Sequence, residues 1–212
     1  TVPVLAPRLV SQWAMYHATG MPADYYKYPK ASIRFVGVLV GADYVQVTPD
    51  MLLAYKKQLE LPGNAQLITI TGGSTGAANI NEAMRSVLPE LLAKNENLYV
   101  VHQVGVGKGE VYDDFNHERL QVHELLKPMH VYTGAADIVV TRAGANTMAE
   151  LGTQAKACIV IPNPLLTGGH QTKNAQVWET EKAAIIIADT ILKADPTLVQ
   201  NALQTLLDSE SM

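Results

Sequence analysis

Five short, continuously apolar runs are spaced along residues 67–187, and they are rich in β-branched side chains. A strand that alternates apolar and polar residues has one solvated face, whereas a continuous run is typical of a strand covered on both faces of a parallel sheet. The runs therefore predict parallel strands at residues 67–71, 98–102, 137–141, 158–161 and 184–187.

The segments between these runs have helical periodicity, with apolar residues three or four positions apart. This pattern predicts an α/β fold with a doubly wound, Rossmann-like parallel sheet and right-handed crossovers. Ligands bind to such sheets beyond the carboxyl ends of the strands, so we expect the chemistry in the loops that follow them. The predicted helices cover residues 78–93, 145–154, 171–182 and 196–207.

The first 41 residues have a different character. They hold four of the nine tyrosines and a further apolar run at residues 33–40, which predicts one more strand before a turn at Gly41. We place a domain boundary there, between residues 1–41 and residues 42–212. The chain begins at Thr1 without an initiator methionine and enters apolar sequence at once, so we expect a piece of a longer protein.

Composition narrows the class of protein. With 212 residues, 48% of them hydrophobic and 17% charged, the chain is globular and long enough to build its own core. Its 16 basic and 20 acidic residues give a net charge of −4, which disfavours a nucleic-acid partner. No apolar run approaches the roughly 18 residues of a membrane span. With a single cysteine, Cys158, the chain cannot form an intramolecular disulfide, and this favours a cytoplasmic location. We expect Cys158 to be buried and inert.

The first strand-end loop is rich in glycine and reads Gly-Gly-Ser-Thr-Gly-Ala at residues 72–77. Glycine lets a backbone approach a ligand closely, and a helix N-terminus offers free N–H groups, so this loop suits a pyrophosphate. The same residues also fit a tight turn in which Ser74 or Thr75 caps the helix. The loop is neither a Walker loop nor a G-x-G-x-x-G fingerprint, which disfavours a dinucleotide cofactor.

Two further loops follow the second and third strands. Residues 105–109 read Gly-Val-Gly-Lys-Gly but lack the spacing of a nucleotide loop, and we expect a flexible surface loop there. After the third strand, Arg142 and Gly144 form a turn, and Glu150 lies within the first turns of the next helix. The Glu150 carboxylate either accepts hydrogen bonds from ribose hydroxyls or only complements the helix dipole.

The loop after the fourth strand brings polar groups to a helix start. His170, Gln171 and Asn174 follow two glycines at residues 168 and 169, and they are placed to hydrogen-bond sugar hydroxyls. We expect no zinc site, because no second histidine or cysteine lies at ligand spacing. His102 and His130 stand alone in the sequence, and we expect core or surface roles for both.

In order and spacing, these motifs resemble the C-terminal, donor-binding half of the family 28 glycosyltransferases, which have the two-domain GT-B architecture. The resemblance extends over residues 33–207 and agrees with the α/β fold class predicted above. It rests on residues 72–77, His102-Gln103 with Gly105, Ala136-Asp137, residues 142–150, Pro162, and His170-Gln171 with Asn174-Ala175.

The resemblance implies a site for UDP-N-acetylglucosamine. In the family the glycine-rich loop binds the diphosphate, a glutamate at the position of Glu150 holds the ribose hydroxyls, and backbone near Leu126 lines the uracil pocket. The family's glutamine beside the sugar corresponds to Gln171. The substrate-binding residues implied, with no metal and no cofactor, are Gly73, Ser74, Thr75, Gly76, Leu126, Arg142, Gly144, Glu150, His170, Gln171 and Asn174.

The activity implied is transfer of N-acetylglucosamine to an undecaprenyl-linked muramyl peptide, as in peptidoglycan synthesis, by a peripheral enzyme on the cytoplasmic face of the plasma membrane. Residues 1–41 would be the remnant of the N-terminal acceptor domain and the linker. The general base and the membrane contact would belong to the missing part of that domain. A glycosyltransferase with another glycolipid acceptor, or a nucleotide-sugar-binding module inactive by itself, also fits these residues.

The chain departs from the family pattern in three places. Thr75 stands where the family loop has glutamine, and residues 37–41 lack the Asn-Pro-Val-Arg-like segment of the domain junction. We also expect the family's closing C-terminal helix to be cut short at Met212. We therefore expect no contact through the loop glutamine or the junction arginine in this chain.

Overall fold

A computed structural model describes residues 9–21, 23–165 and 169–209. Within these ranges, the strands are β1 (His17–Thr19), β2 (Ile33–Phe35), β3 (Gln66–Thr71), β4 (Leu98–Gln103), β5 (Leu120–His123), β6 (Ile138–Thr141), β7 (Ala157–Val160) and β8 (Ile185–Ile186). The α-helices are α1 (Pro49–Gln58), α2 (Ala78–Lys94), α3 (Met129–Ala135), α4 (Ala145–Thr153), α5 (His170–Thr180), α6 (Asp189–Ala194) and α7 (Thr197–Leu207).

The main sheet has six parallel strands in the order β5-β4-β3-β6-β7-β8. The chain enters at β3 in the middle, builds outward to β5, and returns to add β6, β7 and β8 on the other side. This is the doubly wound arrangement, with its switch point between β3 and β6. The predicted fold class is confirmed, and the carboxyl ends of β3 and β6 are where a ligand is expected.

The continuous apolar runs identify five of the six strands described in this sheet and miss the edge strand β5. All five predicted strands are present within one residue of their expected bounds. The edge strand β5 escapes the prediction because its four residues, Leu-Gln-Val-His, are neither continuously apolar nor fully buried. The strand expected at residues 33–40 is wrong beyond Phe35, because its partner β1 ends at Thr19.

The four predicted helices correspond to α2, α4, α5 and α7. The other three lack the pattern on which such predictions depend. Helices α3 and α6 have seven and six residues, too few to display an apolar stripe. Helix α1 begins at a clear N-cap, Thr48, but the only fully buried residue along it is a lysine, Lys56.

Alternate residues of β3 belong to two separate apolar layers. Ile68 and Ile70 share one layer with Met84 of α2 and with α7. Leu67 shares the other with Leu151 of α4 and with side chains from α3 and α5. These residues are fully buried, and each contributes about 1.5–3 kcal/mol of hydrophobic stabilisation. The sheet is thereby a well-packed platform for the loops at its carboxyl end.

A buried ion pair anchors the opposite, amino end of the sheet. The Lys56 ammonium lies 2.9 Å from a carboxylate oxygen of Asp137 and 2.6 Å from the carbonyl oxygen of Ala65. The Asp137 carboxylate also accepts a hydrogen bond from the N–H of Leu67 at 2.7 Å. The Ala136-Asp137 motif therefore ties α1 to β3 and β6, far from the strand ends where ligands bind.

The small sheet of β1 and β2 is separate from the main sheet. The domain boundary at Gly41 stays a prediction, and Thr1 and Met212, the ends of the two predicted units, lie outside the described residues. Across the described ranges, no helix combines the length and the apolar character needed to cross a bilayer.

Cys158 lies in β7 and is buried, as predicted. Burial raises the pKa of its thiol to about 12, so the reactive thiolate is scarce at neutral pH. We expect a disulfide-exchange reagent to leave the native chain unmodified and to label one thiol per chain in urea. Rapid labelling of the native chain, measured by absorbance, would contradict this burial.

Candidate functional site

The glycine-rich loop, residues 72–77, joins the end of β3 to the start of α2. Gly73 and Gly76 have φ angles of +85° and +67°, and the N–H of Gly76 donates to the carbonyl oxygen of Gly73 at 2.9 Å. A β-carbon on Gly76 would lie 1.9 Å from the carbonyl oxygen of Val104. Only glycine fits where the loop approaches the neighbouring strand end.

The N-terminus of α2 has no side-chain cap. Its N-cap residue is Ala77, which offers no hydrogen-bond acceptor on its side chain. The alternative in which Ser74 or Thr75 is the cap is therefore wrong. The first N–H groups of α2, at the positive end of the helix dipole, are left available for an anion.

The second glycine cluster, residues 105–109, packs against the glycine-rich loop. The N–H of Val106 donates to the carbonyl oxygen of Ser74 at 3.2 Å, and the Lys108 ammonium donates to that of Thr75 at 2.8 Å. A β-carbon on Gly105 would lie 2.5 Å from the backbone nitrogen of the facing glycine in that loop. The loop lies at the surface, as predicted, with residues 106, 107 and 109 exposed. It is nevertheless bonded to the glycine-rich loop, because β3 and β4 end side by side and bring their loops together.

A cavity of about 240 Å³, which we call the Glu150 cavity, opens beside the glycine-rich loop. Gly73 and Ser74 form one wall, and Leu126 and Glu150 form the others. The rest of the lining consists of Tyr44, Thr71, Gln103, Leu125, Met129, Thr133, Thr147 and Leu151.

Gln103 holds two walls of the Glu150 cavity together. Its amide nitrogen donates to the carbonyl oxygen of Gly73 at 2.9 Å, and its amide oxygen accepts from the N–H of Leu126 at 2.8 Å. That N–H is therefore already used within the chain. The sequence pattern predicts neither of these contacts, since Gln103 is simply the last residue of β4.

Glu150 faces the cavity from α4, whose first turn holds no acidic residue, so a helix-dipole role does not explain it. Desolvation raises the pKa of its carboxyl above the usual value, and a hydrogen bond from the Tyr44 hydroxyl partly offsets this effect. Burial raises the pKa of Tyr44 to about 12, and the negative charge of Glu150 is the second largest cause of this rise. The phenol thus stays protonated and donates, while the carboxylate keeps acceptor positions for a ligand.

A second cavity of about 400 Å³, the Gln171 cavity, opens on the other side of the glycine-rich loop. The Gln171 amide oxygen accepts from the N–H of Asn163 at 2.9 Å, which orients the side chain. Its amide nitrogen has no hydrogen-bond partner within the part of the chain that the structure describes. The other lining residues are Gly72, Thr75, Gly76, Ala77, Ala78, Asn79, Arg142, Leu165 and Asp189.

Arg142 supports the Gln171 cavity, but its charge is already paired. Its guanidinium forms an ion pair with Asp189 and donates to the carbonyl oxygen of Ile161 at 3.2 Å. The Asn79 amide nitrogen donates to the same carboxylate at 2.7 Å. The group joins the ends of β6, α2 and α6, so Arg142 has a structural role in the wall of the cavity.

The remaining predicted contacts are placed differently. Asn174 is buried and donates to the carbonyl oxygen of Ala143 at 3.0 Å, so it holds the turn before α4. His170 begins α5 and lines neither cavity. Gly144 is the N-cap of α4 with a φ angle of −69°, which any residue can adopt. Gly168 lies outside the described residues.

The two lone histidines have structural surroundings, as predicted. His102 lies 2.8 Å from the Tyr112 hydroxyl, and burial lowers the pKa of its imidazole to about 3. His130 packs edge-on against the rings of Tyr44 and Tyr55. Among the described residues, no cluster of three or more His, Cys, Asp or Glu is arranged to hold a metal ion.

The structure thus brings Ser74 and Glu150 to one cavity and Thr75 and Gln171 to the next. The glycine-rich loop is a wall of both, and both lie at the carboxyl end of the sheet near its switch point. An extended ligand with a charged middle can span them with its charge at the N-terminus of α2.

Comparison with known sequences places the chain in a family. The model of the glycosyltransferase family 28 C-terminal domain matches residues 67–212. The UDP-N-acetylglucosamine--N-acetylmuramyl-(pentapeptide) pyrophosphoryl-undecaprenol N-acetylglucosamine transferase of Salinibacter ruber is 37% identical over 147 residues, 66% of this chain and 38% of its own length. The protein of that name from Rippkaea orientalis is 31% identical over 206 residues, 97% of this chain and 55% of its own length. The chain spans about half the length of the curated relatives it matches.

Comparison with solved structures confirms the predicted fold. The crystal structure of MurG from Acinetobacter baumannii matches 98% of this chain and 56% of its own, with a TM-score of 0.67 and 24% identity. At that identity the likeness shows the fold alone, whereas the family model matches most of the sequence. The chain therefore belongs to glycosyltransferase family 28, and it carries the C-terminal domain of that family.

Proposed function

We propose that this chain is the donor-binding part of a glycosyltransferase that takes N-acetylglucosamine from UDP-N-acetylglucosamine. The observation that carries the proposal is the uncapped N-terminus of α2 between the Glu150 cavity and the Gln171 cavity. A nucleotide sugar has a charged diphosphate between two uncharged ends, and this arrangement matches that distribution. The activity named for the relatives supports the choice of sugar.

The nucleoside is assigned to the Glu150 cavity. In its ionised form the carboxylate of Glu150 accepts hydrogen bonds from the two ribose hydroxyls, because it has acceptor positions free. The apolar side chains of Leu126 and Met129 line the same cavity and suit the faces of a uracil ring. Among the described residues that line this cavity, Glu150 is the only acidic one.

The diphosphate is assigned to the glycine-rich loop and the sugar to the Gln171 cavity. As the bond between sugar and phosphate breaks, negative charge grows on the leaving diphosphate. The Ser74 hydroxyl and the N–H groups at the start of α2 are preorganised donors that stabilise this charge. The amide nitrogen of Gln171 donates to a sugar hydroxyl.

We further propose that the acceptor is an undecaprenyl-linked muramyl peptide at the inner face of the plasma membrane, since the relatives are named for that acceptor. Transfer also needs a base that removes the proton of the acceptor hydroxyl. Because the chain spans about half of its relatives, the base, the acceptor site and the membrane contact are assigned to the other half of the protein.

Titration calorimetry tests the donor assignment. We expect the chain to bind UDP and UDP-N-acetylglucosamine weakly and NAD not at all, because the loop lacks a dinucleotide fingerprint. Incubated alone with donor and lipid-linked muramyl peptide, it is expected to transfer no sugar. Tighter binding of NAD than of UDP would refute the donor assignment, and transfer by this chain alone would refute the division between the two halves.

The acceptor assignment has a separate test, which uses the chain joined to the other half of its parent protein. We expect sugar transfer to the muramyl-peptide lipid. Transfer only to a different glycolipid would favour the first alternative from the sequence. Donor binding without transfer to any acceptor would favour a binding module.

A further inference from the structure

One residue between β2 and α1 is buried more than its neighbours. Residues 41–46 are exposed except for Tyr44, which is half-buried. The Tyr44 ring packs edge-on against His130 with the ring centroids 6.0 Å apart. The backbone N–H of Tyr44 donates to the carbonyl oxygen of Gly41 at 3.0 Å. The connecting segment therefore turns at this point and places an aromatic side chain against α3.

Tyr44 also reaches the Glu150 cavity. It lines that cavity together with Ser74, Leu126 and Glu150. Its hydroxyl lies beside the Glu150 carboxylate, where hydrogen bonding to it lowers the carboxyl pKa against the effect of burial. Tyr44 is the residue of the segment between β2 and α1 that lines this cavity.

We propose that Tyr44 is a positioning residue of the donor site, which holds the Glu150 carboxylate in the orientation that accepts both ribose hydroxyls. The inference rests on the proposed binding of UDP. A carboxylate has about four acceptor positions, so one bond to Tyr44 leaves enough for two ribose hydroxyls. Fixing the Glu150 side chain before binding removes an ordering cost from the binding step. The consequence is a stronger preference for ribose over 2′-deoxyribose.

Tyr44→Phe removes the hydroxyl and keeps the ring. Calorimetry is expected to show about three- to tenfold weaker UDP binding, the effect of one hydrogen bond. Binding of 2′-deoxy-UDP is expected to change less, so the preference for ribose shrinks. Tyr55→Phe is the matched control, because Tyr55 packs on the same His130 ring at 6.3 Å but lines neither cavity. It is expected to leave both affinities unchanged.

A measurement without ligand tests the contact itself. In a carbon-13 NMR titration, Tyr44→Phe is expected to raise the pKa of the Glu150 carboxyl, because a hydrogen bond that favours the charged form is lost. Tyr55→Phe is expected to leave that pKa unchanged. An unshifted pKa in Tyr44→Phe would overturn the inference.

The outcomes separate this inference from the proposed function. If the unmodified chain binds no UDP, the proposed function fails and the positioning role fails with it. If the unmodified chain and Tyr55→Phe bind UDP while Tyr44→Phe binds it equally well, only the positioning role fails. Tighter UDP binding by Tyr44→Phe would overturn that role too, since Tyr44 would then compete with the ribose for Glu150.

Discussion

Replacing Gly76 by alanine is expected to lower the free energy of unfolding by about 2–5 kcal/mol and to weaken UDP binding severely. The backbone of Gly76 is left-handed, with a φ angle of +67°, and this conformation costs an L-residue roughly 1–2 kcal/mol. The new β-carbon would also lie 1.9 Å from the carbonyl oxygen of Val104 and 2.8 Å from its carbonyl carbon. These are backbone atoms, so relieving the clash adds about 1–3 kcal/mol and displaces the loop.

Gly73→Ala is the control for this substitution. Gly73 has a φ angle of +85° in the same loop, but a β-carbon there would meet no atom within 4 Å. It should therefore cost only the backbone penalty of roughly 1–2 kcal/mol. Urea unfolding followed by circular dichroism compares the two variants. Equal losses would contradict the close packing of the glycine-rich loop against the second glycine cluster.

The elements that the sequence predicts well are those whose own residues show a clear apolar or β-branched pattern. From Leu67 to Thr71, strand β3 consists of apolar and β-branched residues and is buried on both faces, and helix α2 displays one long apolar stripe. Strand β5 and helix α1 are half-exposed, and their place in the fold depends on neighbours distant in the chain. Lys56 is the clearest example, because its burial follows from Asp137, a partner that no local pattern indicates.

The residues of the candidate site also fall into those that the sequence predicts and those that it does not. Ser74 and Glu150 could be predicted because each follows a buried strand closely, and the doubly wound order brings those strand ends together. The contacts of Tyr44 and Gln103 could not be predicted, since both depend on how separate loops pack. The second glycine cluster has no nucleotide-loop spacing, and its role as a brace comes from the pairing of β3 with β4.

Replacing Glu150 by glutamine is expected to weaken UDP binding about 5- to 150-fold, or about 1–3 kcal/mol. An amide accepts through one oxygen only, and its NH₂ group faces the ribose hydroxyls as a donor. Glu124→Gln is the matched control, because it removes the same charge from an exposed position just before Leu125. Calorimetry should show no change for Glu124→Gln. Unchanged UDP affinity in Glu150→Gln would show that Glu150 does not contact the ribose.

The pH dependence of donor affinity, compared between the unmodified chain and Glu150→Gln, distinguishes a lost contact from a damaged fold. UDP-N-acetylglucosamine is the ligand to use, because it lacks the terminal phosphate that titrates at about pH 6. Its affinity is expected to fall as the pH falls through the pKa of Glu150, which burial raises, and Glu150→Gln should lack this dependence.

The same raised pKa has the opposite effect on stability. The native chain holds the Glu150 proton more tightly than the unfolded chain, so this group stabilises the fold as the pH falls and its ionised form costs stability at neutral pH. Glu150→Gln removes that cost. The variant should therefore bind the donor less tightly at neutral pH and unfold at a urea concentration equal to or above that of the unmodified chain. A loss of stability together with the loss of affinity would indicate that Glu150 supports the fold rather than the ribose.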